Sequence, residues 1–290
     1  MSWYLGPVGA LVLLDRVNLG VIAKPDKGAV IHDMPGGRAV DFFGVKRSWV
    51  LPARQLTAAQ RHILDRLFWL PGPLRLLDTN QVNFLTANQS SGTDALLTTT
   101  GFRETAGTIF SSTTQQRSGT NALKWVVASG LAAGNGVWTG ASSVSSPVAA
   151  VDDLPVLPSR DYTFSFYVRH STGTVQLRAT INWFTALGVA ISTSTGTSTS
   201  SSTAIFDTSC TLTATSPATA GYARCELEIG TGTPSAIMDI YFDELLFQQA
   251  SAASAWVLGK GIPIVAATDL DVEEVRQGRA NYSLTLLEVA

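Results

Sequence analysis

The sequence predicts a mainly β protein, and three observations carry that prediction. Only 14% of its 290 residues are charged, well below the roughly 25% of an average soluble chain. Thr, Ser and Gly crowd stretches in which apolar and polar residues alternate, the period of a half-buried strand. Short runs of this kind recur between Gly, Pro and Ser turns through the middle of the chain, whereas helical periodicity is clear only once. With 45% apolar residues the chain can fill a core in each of about two domains, which excludes disorder.

The elements follow in order. The opening MSWYLGPVGALVLLDR lacks a basic n-region and meets an acidic residue right after its short apolar run, so it does not read as a signal peptide. No apolar stretch approaches the roughly 20 residues of a membrane span, so synthesis in the cytoplasm without membrane insertion is expected. GALVLL, GRAVDFFGV and SWVLPA read as strands, with MPGG at 34–37 as a hairpin turn. Residues 57–70, TAAQRHILDRLFWL, read as a helix. Thr57 caps it and Gln60 completes a capping box, while Ile63, Leu64, Leu67, Phe68 and Leu70 form one apolar stripe. Pro71-Gly72-Pro73 stops the helix, and LRLLD returns to strand.

Residues 1–86 thus form a small sheet with one helix packed on it. From 87 the texture changes to short strands expected near 102–110, 121–129, 135–143, 147–151, 161–170, 175–184, 187–193, 203–213, 221–229 and 236–247, a β-sandwich of jelly-roll type. The tract STSTGTSTSSST at 192–203 has nothing to bury and reads as a mobile surface loop. After the linker QASAASA, residues 255–290 are too few for a core of their own. They are expected to rejoin the sheet of 1–86 through the terminal strand NYSLTLLEVA, leaving 87–250 as an insertion between two halves of one domain.

The chemistry is sparse. A net charge of -2 with no basic block excludes nucleic-acid binding. Cys210 and Cys225 read as two reduced, buried thiols ahead of a bridge across neighbouring strands. His32, His62 and His170 are scattered, with His62 on the polar side of the helix, and no GxSxG, HExxH or phosphate-cradling loop occurs. The adjacent carboxylates Asp152-Asp153, Asp243-Glu244 and Glu273-Glu274 point to opposite faces on a strand, so they do not converge as a hydrolase needs. No catalytic residue is assigned, and the protein is not expected to be an enzyme.

Sugar binding fits better, because aromatic rings flanked by polar groups suit a sugar ring and its hydroxyls. Alternation sends Tyr162, Phe164, Phe166 and Val168 to one face of 161–170 and leaves Tyr167 and Arg169 on the other. In 175–184 it sends Val175, Leu177, Ala179, Ile181 and Trp183 inward and leaves Gln176, Arg178 and Asn182 outward. If the two strands pair as a hairpin, Tyr167, Arg169, Gln176, Arg178 and Asn182 share one glycan-binding face. Trp125 and Trp183 are then core residues, and Trp138 is the remaining aromatic candidate.

Two resemblances stand beside this reading. GFRET with Phe102 and Glu104, GTNALKW, LPSRDYTFSFYVRHSTGTVQLRATINWF and IMDIYFDELLF with Asp243 resemble the jelly rolls of calcium-containing carbohydrate-binding modules. That resemblance implies glycan binding and a structural calcium ion at Glu104 and Asp243. The segment from Ser48 to Asp78, the phrase LRLLDTNQVNFLTANQSSGT and the final NYSLTLLEV resemble the tail-tube-like domain of siphophage distal tail and other minor tail proteins. This second resemblance implies a tail-tube-like β-sandwich or split barrel with one packed helix, forming a ring of three or six in the virion tail. Its neighbours would be the tail tube, tail hub and tape measure, and the inserted module would touch host surface glycans. The expected function is therefore a structural minor tail or baseplate protein. A free carbohydrate-binding module or lectin is the alternative, followed by a glycoside hydrolase accessory protein.

Overall fold

A computed structural model describes residues 3–14, 24–34, 37–140, 153–173, 175–201, 203, 205–276 and 279–289, with the side chains within 24–46 and at 276 left aside. The chain opens with β1 (Trp3–Gly6), β2 (Val12–Leu13), β3 (Lys24–Met34), β4 (Gly37–Leu56), α1 (Ala58–Trp69) and β5 (Leu74–Asp78). It continues through α2 (Ala87–Ser90), β6 (Phe102–Glu104), β7 (Thr108–Ser112), β8 (Ala122–Val127), β9 (Gly136–Thr139) and β10 (Leu154–Pro155). Then come β11 (Asp161–His170), β12 (Gln176–Phe184), β13 (Ala190–Thr195), β14 (Thr199–Ser200), β15 (Thr208–Thr215), β16 (Tyr222–Thr231) and β17 (Met238–Gln248). The last strands are β18 (Ile264–Arg276) and β19 (Arg279–Glu288). The fold is mainly β, in antiparallel sheets.

The chain divides into two compact units, one of Met1–Pro7, Leu11–Asp78 and Pro263–Ala290, the other of Val8–Ala10 and Thr79–Ile262. The first is a seven-stranded sheet in the order β2-β1-β5-β18-β19-β4-β3. Its closing hairpin β18–β19 lies between β5 and β4, so both ends of the chain share one sheet. Helix α1 has the expected cap: Thr57 Oγ1 accepts from the Gln60 N–H, and Gln60 Oε1 accepts from the Thr57 N–H. Such a cap is worth roughly 1 kcal/mol. Leu64 and Leu67 are buried in one core with Leu51, Leu76, Leu284 and Leu286, while Ile63, Phe68 and Leu70 are partly buried against it and His62 is exposed. The helix ends at Leu70, whose extended backbone leads into the Pro-Gly-Pro turn. Of the MPGG turn, Met34 pairs with Gly37, and residues 35–36 lie outside the described residues.

The second unit is a sandwich of jelly-roll type. One sheet runs β13-β12-β16-β9-β6, with β10 on β16 and β14 on β12; the other runs β15-β11-β17-β8-β7. Alternation packs the interior, where Trp125, Phe164, Phe166, Ile181 and Phe242 are fully buried. Tyr162 from one sheet meets Trp183 from the other at 6.0 Å between ring centroids. Segment 79–86 is fastened to β17 by Asn83, which donates to the carbonyls of Leu245 and Val257 and accepts from the N–H groups of Leu85 and Phe247.

Three expectations need correction. The tract 192–203 is not a free loop over its described residues: Ser192 to Thr195 belong to β13, which pairs with β12, and Thr199–Ser200 form β14 on the same strand. Its hydroxyls need not bury anything, because an edge strand is held by its backbone bonds. Helix α2 falls in ANQS, where no helix was expected; Thr86 and Gln89 repeat the capping box of α1. Finally, β11 and β12 are not a hairpin, for β11 pairs with β15 and β17 and β12 with β13 and β16. The link after His170 carries the chain from one sheet to the other. The strand expected at 147–151 lies outside the described residues.

Candidate functional site

That crossing splits the expected glycan face. Tyr167 and Arg169 stand on the outer face of the β11 sheet, and Gln176, Arg178 and Asn182 on the outer face of the β12 sheet. Tyr167 is also no open platform, because the Arg117 guanidinium lies 3.6 Å from its ring centroid. Arg117 is held there by Glu244 at 2.8 Å, and Arg169 is engaged by the side-chain oxygen of Gln115.

The β12 sheet carries the richer surface. Register sets Arg178 opposite Glu228, Thr180 opposite Glu226, Asn182 opposite Arg224 and Phe184 opposite Tyr222. Trp138 of β9 stands opposite Glu226 on the next strand, and Arg103 of β6 opposite Trp138. Cross-strand partners share a face, so these ten side chains form one polar and aromatic surface over four strands.

It has two tiers. Gln176 and Arg103 are exposed and Arg178 and Asn182 are half-buried. Beneath them Trp138, Arg224, Glu226 and Glu228 are only 3%, 1%, 7% and 5% exposed. Trp138 is therefore not the open aromatic platform the sequence suggested, although its indole N–H is buried without a hydrogen-bond partner. The lower tier holds the upper. Glu228 takes Arg178 through two bonds of 3.2 and 2.6 Å and also accepts from Thr180 Oγ1 at 2.6 Å. Glu226 accepts from Asn182 Nδ2 at 3.0 Å, whose Oδ1 in turn accepts from Thr193. Arg224 pairs with Asp153 at 3.2 Å. Gly136 makes room for Glu226, since a Cβ there would meet Leu227 O at 2.6 Å and Glu226 Oε1 at 2.9 Å.

Burial pushes the Glu226 carboxyl up to about 7 against the opposing bond from Asn182, and the neighbouring Glu228 adds to the rise. Burial likewise raises Asp243 to about 6. Both values lie above those of the unfolded chain, so the native state keeps protons that the unfolded state has lost. Stability should be greatest below the unfolded values, fall as pH rises through about 4 to 7, and level off beyond. The unfolding midpoint in urea is expected to drop between about pH 4 and pH 7, and Glu226→Gln should flatten the upper part of that slope. An unchanged slope in Glu226→Gln would remove Glu226 as its cause.

Glu104 lies on β6 in one sheet and Asp243 on β17 in the other. Asp243 Oδ2 accepts from the N–H groups of Arg117 and Ser118, and Oδ1 from that of Glu244. Those donors suit a carboxylate held by backbone, whereas a hard cation needs six or more oxygens. Among the described residues no group of three or more His, Cys, Asp or Glu could hold a metal ion. Cys210 and Cys225 are free and buried thiols.

Sequence reading missed the buried carboxylates. The alternation in RCELE puts Arg224, Glu226 and Glu228 on one face of a strand, and that signal was available.

No family model matches the chain, and no curated protein matches it. Among solved structures, the CBM22-1 xylan-binding domain from Paenibacillus barcinonensis Xyn10C is 16% identical, with 60% of this chain and 94% of that one covered at a TM-score of 0.39. The CBM22-1-CBM22-2 tandem domain of the same protein is also 16% identical, with 71% and 61% covered at 0.42. The enzymatically active domain of bacteriophage CBA120 tailspike protein 4 is 14% identical, with 58% of this chain and 22% of that one covered at 0.39.

Proposed function

We propose that the chain is a non-catalytic glycan-binding protein whose sandwich takes a neutral sugar chain on the outer face of the β12 sheet. The observation that carries this is the two-tier surface, with Arg178 and Asn182 presented by buried Glu228 and Glu226. A planar guanidinium and an amide fixed in this way supply donors and an acceptor to vicinal hydroxyls with little ordering cost. Interleaved guanidinium and carboxylate groups match a neutral, polyhydroxylated ligand better than a charged polymer. Both carboxylates are already engaged, which favours holding over bond cleavage.

The test is affinity electrophoresis in gels containing neutral polysaccharides. Arg178→Ala with Asn182→Ala should abolish retardation, and Tyr167→Ala on the other sheet should leave it unchanged. Retardation that survives the first pair, or reducing sugar released from the gel polymer, would overturn the proposal.

A second reading places the protein in a bacteriophage tail tip, with the first unit as the ring-forming part and the sandwich directed to host glycans. Both chain ends meeting in one seven-stranded sheet favours it, since that topology lets a module be inserted between them. Tail tube, hub and tape measure would then be its neighbours. Locating the chain in a virion map decides this, and a single asymmetric copy would exclude the ring. Among the described residues no helix is long and apolar enough to cross a membrane.

A further inference from the structure

The Ser/Thr tract at the edge of the β12 sheet lies beside the two side chains that carry the sugar reading. β13 pairs with β12 so that Thr193 stands opposite Asn182 and Thr195 opposite Thr180. Cross-strand partners share a face, so both threonines lie on the outer face with Asn182 and Arg178, and both are exposed. Thr193 Oγ1 donates to Asn182 Oδ1 at 2.8 Å, whereas Ser194 turns inward and accepts from the indole N–H of Trp183. At Gly196 the edge is drawn in, its N–H donating to Ala179 O at 2.8 Å, and it resumes as β14 opposite Gln176 and Leu177. Ser198 lies between these two stretches. A Cβ at Gly230 of β16 would overlap Ser198 Oγ and come within 3.2 Å of Arg178 Cδ. β12 separates β16 from the edge, so Ser198 reaches over β12 and rests beside the stem of Arg178.

The composition of this edge is not that of a guarded border strand. Exposed edges are ordinarily protected by charge or proline, yet residues 186–206 hold neither. No side chain from 192 to 200 is larger than threonine. The edge therefore rises no more than a hydroxyl's height beside Arg178 and Asn182 and does not wall them off. The row Arg178, Thr180 and Asn182 runs between two unlike borders, the buried carboxylates Glu228 and Glu226 on β16 and a line of hydroxyls on β13. At the rise of a strand that row is about 13 Å long.

We propose that Thr195 and Ser198 contact the sugar directly, so that a neutral chain lies lengthwise along β12 over Arg178 and Asn182 with its flank on the hydroxyl edge. Each hydroxyl both donates and accepts, as a sugar hydroxyl does, so either can follow the ligand's own pattern. A β-branched threonine in a strand and a serine seated over Gly230 lose little freedom on binding. The Ser/Thr tract thereby sets which chain fits beside the donors. This rests on the sugar reading and adds to it the residues of the second border.

Affinity electrophoresis of the full chain in gels of soluble arabinoxylan, mixed-linkage β-glucan or galactomannan tests it. Thr195→Val with Ser198→Ala leaves the bonds of Arg178 and Asn182 in place and should weaken retardation about tenfold, the loss of two hydrogen bonds of ordinary net strength. Thr211→Val, at an exposed threonine on the outer face of the other sheet, should change nothing. The unfolding midpoint of the double variant should match that of the parent. Full retardation of the double variant, where Arg178→Ala with Asn182→Ala abolishes it, would overturn this proposal and leave the sugar reading standing. Equal weakening by Thr211→Val, or weakening that comes with a lowered midpoint, would overturn it too. A parent chain that none of the three gels retards would overturn both.

Discussion

Replacing Arg224 by methionine is expected to destabilise the sandwich by about 3–5 kcal/mol, the cost typical of breaking a buried ion pair by removing one partner. The side chains of Arg224 and Asp153 are 1% and 4% exposed and lie 3.2 Å apart. The guanidinium carbon also sits 5.3 Å from the Phe184 ring centroid and 5.9 Å from that of Trp138, so methionine recovers part of the packing but none of the charge. The penalty arises from leaving the Asp153 carboxylate in a dry site short of its cation, more than from losing a favourable bond. Arg224→Met combined with Asp153→Leu should therefore be more stable than Arg224→Met alone. Urea unfolding measures both. A single variant within about 1 kcal/mol of the parent, the scale of an exposed pair, would show that water reaches the site.

What the sequence made legible, and what it hid, divides along a physical line. A period of two decides which residues of one strand share a face, so Tyr162, Phe164 and Phe166 were placed inward and are buried. The same period says nothing about which strand lies alongside. The short link between β11 and β12 looked like a hairpin turn, yet in this sandwich it crosses between sheets, and Tyr167 and Arg169 left the site with it. The carboxylates that hold Arg178 and Asn182 come from β16, about fifty residues later in the chain, and only the register of β12 on β16 brings Glu228 and Glu226 to them. Helix α1 was legible because its cap, stripe and stop are local, whereas α2 is a single turn whose capping box was its only mark.

Trp183→Ala is expected to cost the sandwich roughly 3–5 kcal/mol, the range for truncating a buried Trp. Trp183 is 1% exposed at the meeting of the two sheets, with its ring 6.0 Å from that of Tyr162. Its indole N–H donates to Ser194 Oγ at 2.9 Å, so alanine removes the packing and strands a hydroxyl on β13 as well. Little can collapse into the gap, because Ile181 and Ala223 beside it are held in a paired sheet. For a unit of this size the loss corresponds to a fall in midpoint temperature on the order of 10 °C. The sheet unit has its own core around Leu67 and Leu284, so its transition should stay where it was. Differential scanning calorimetry of the whole chain reads both at once. One transition moving while another holds is the expected record, and a single transition that shifts as a whole would mean that the two units unfold as one.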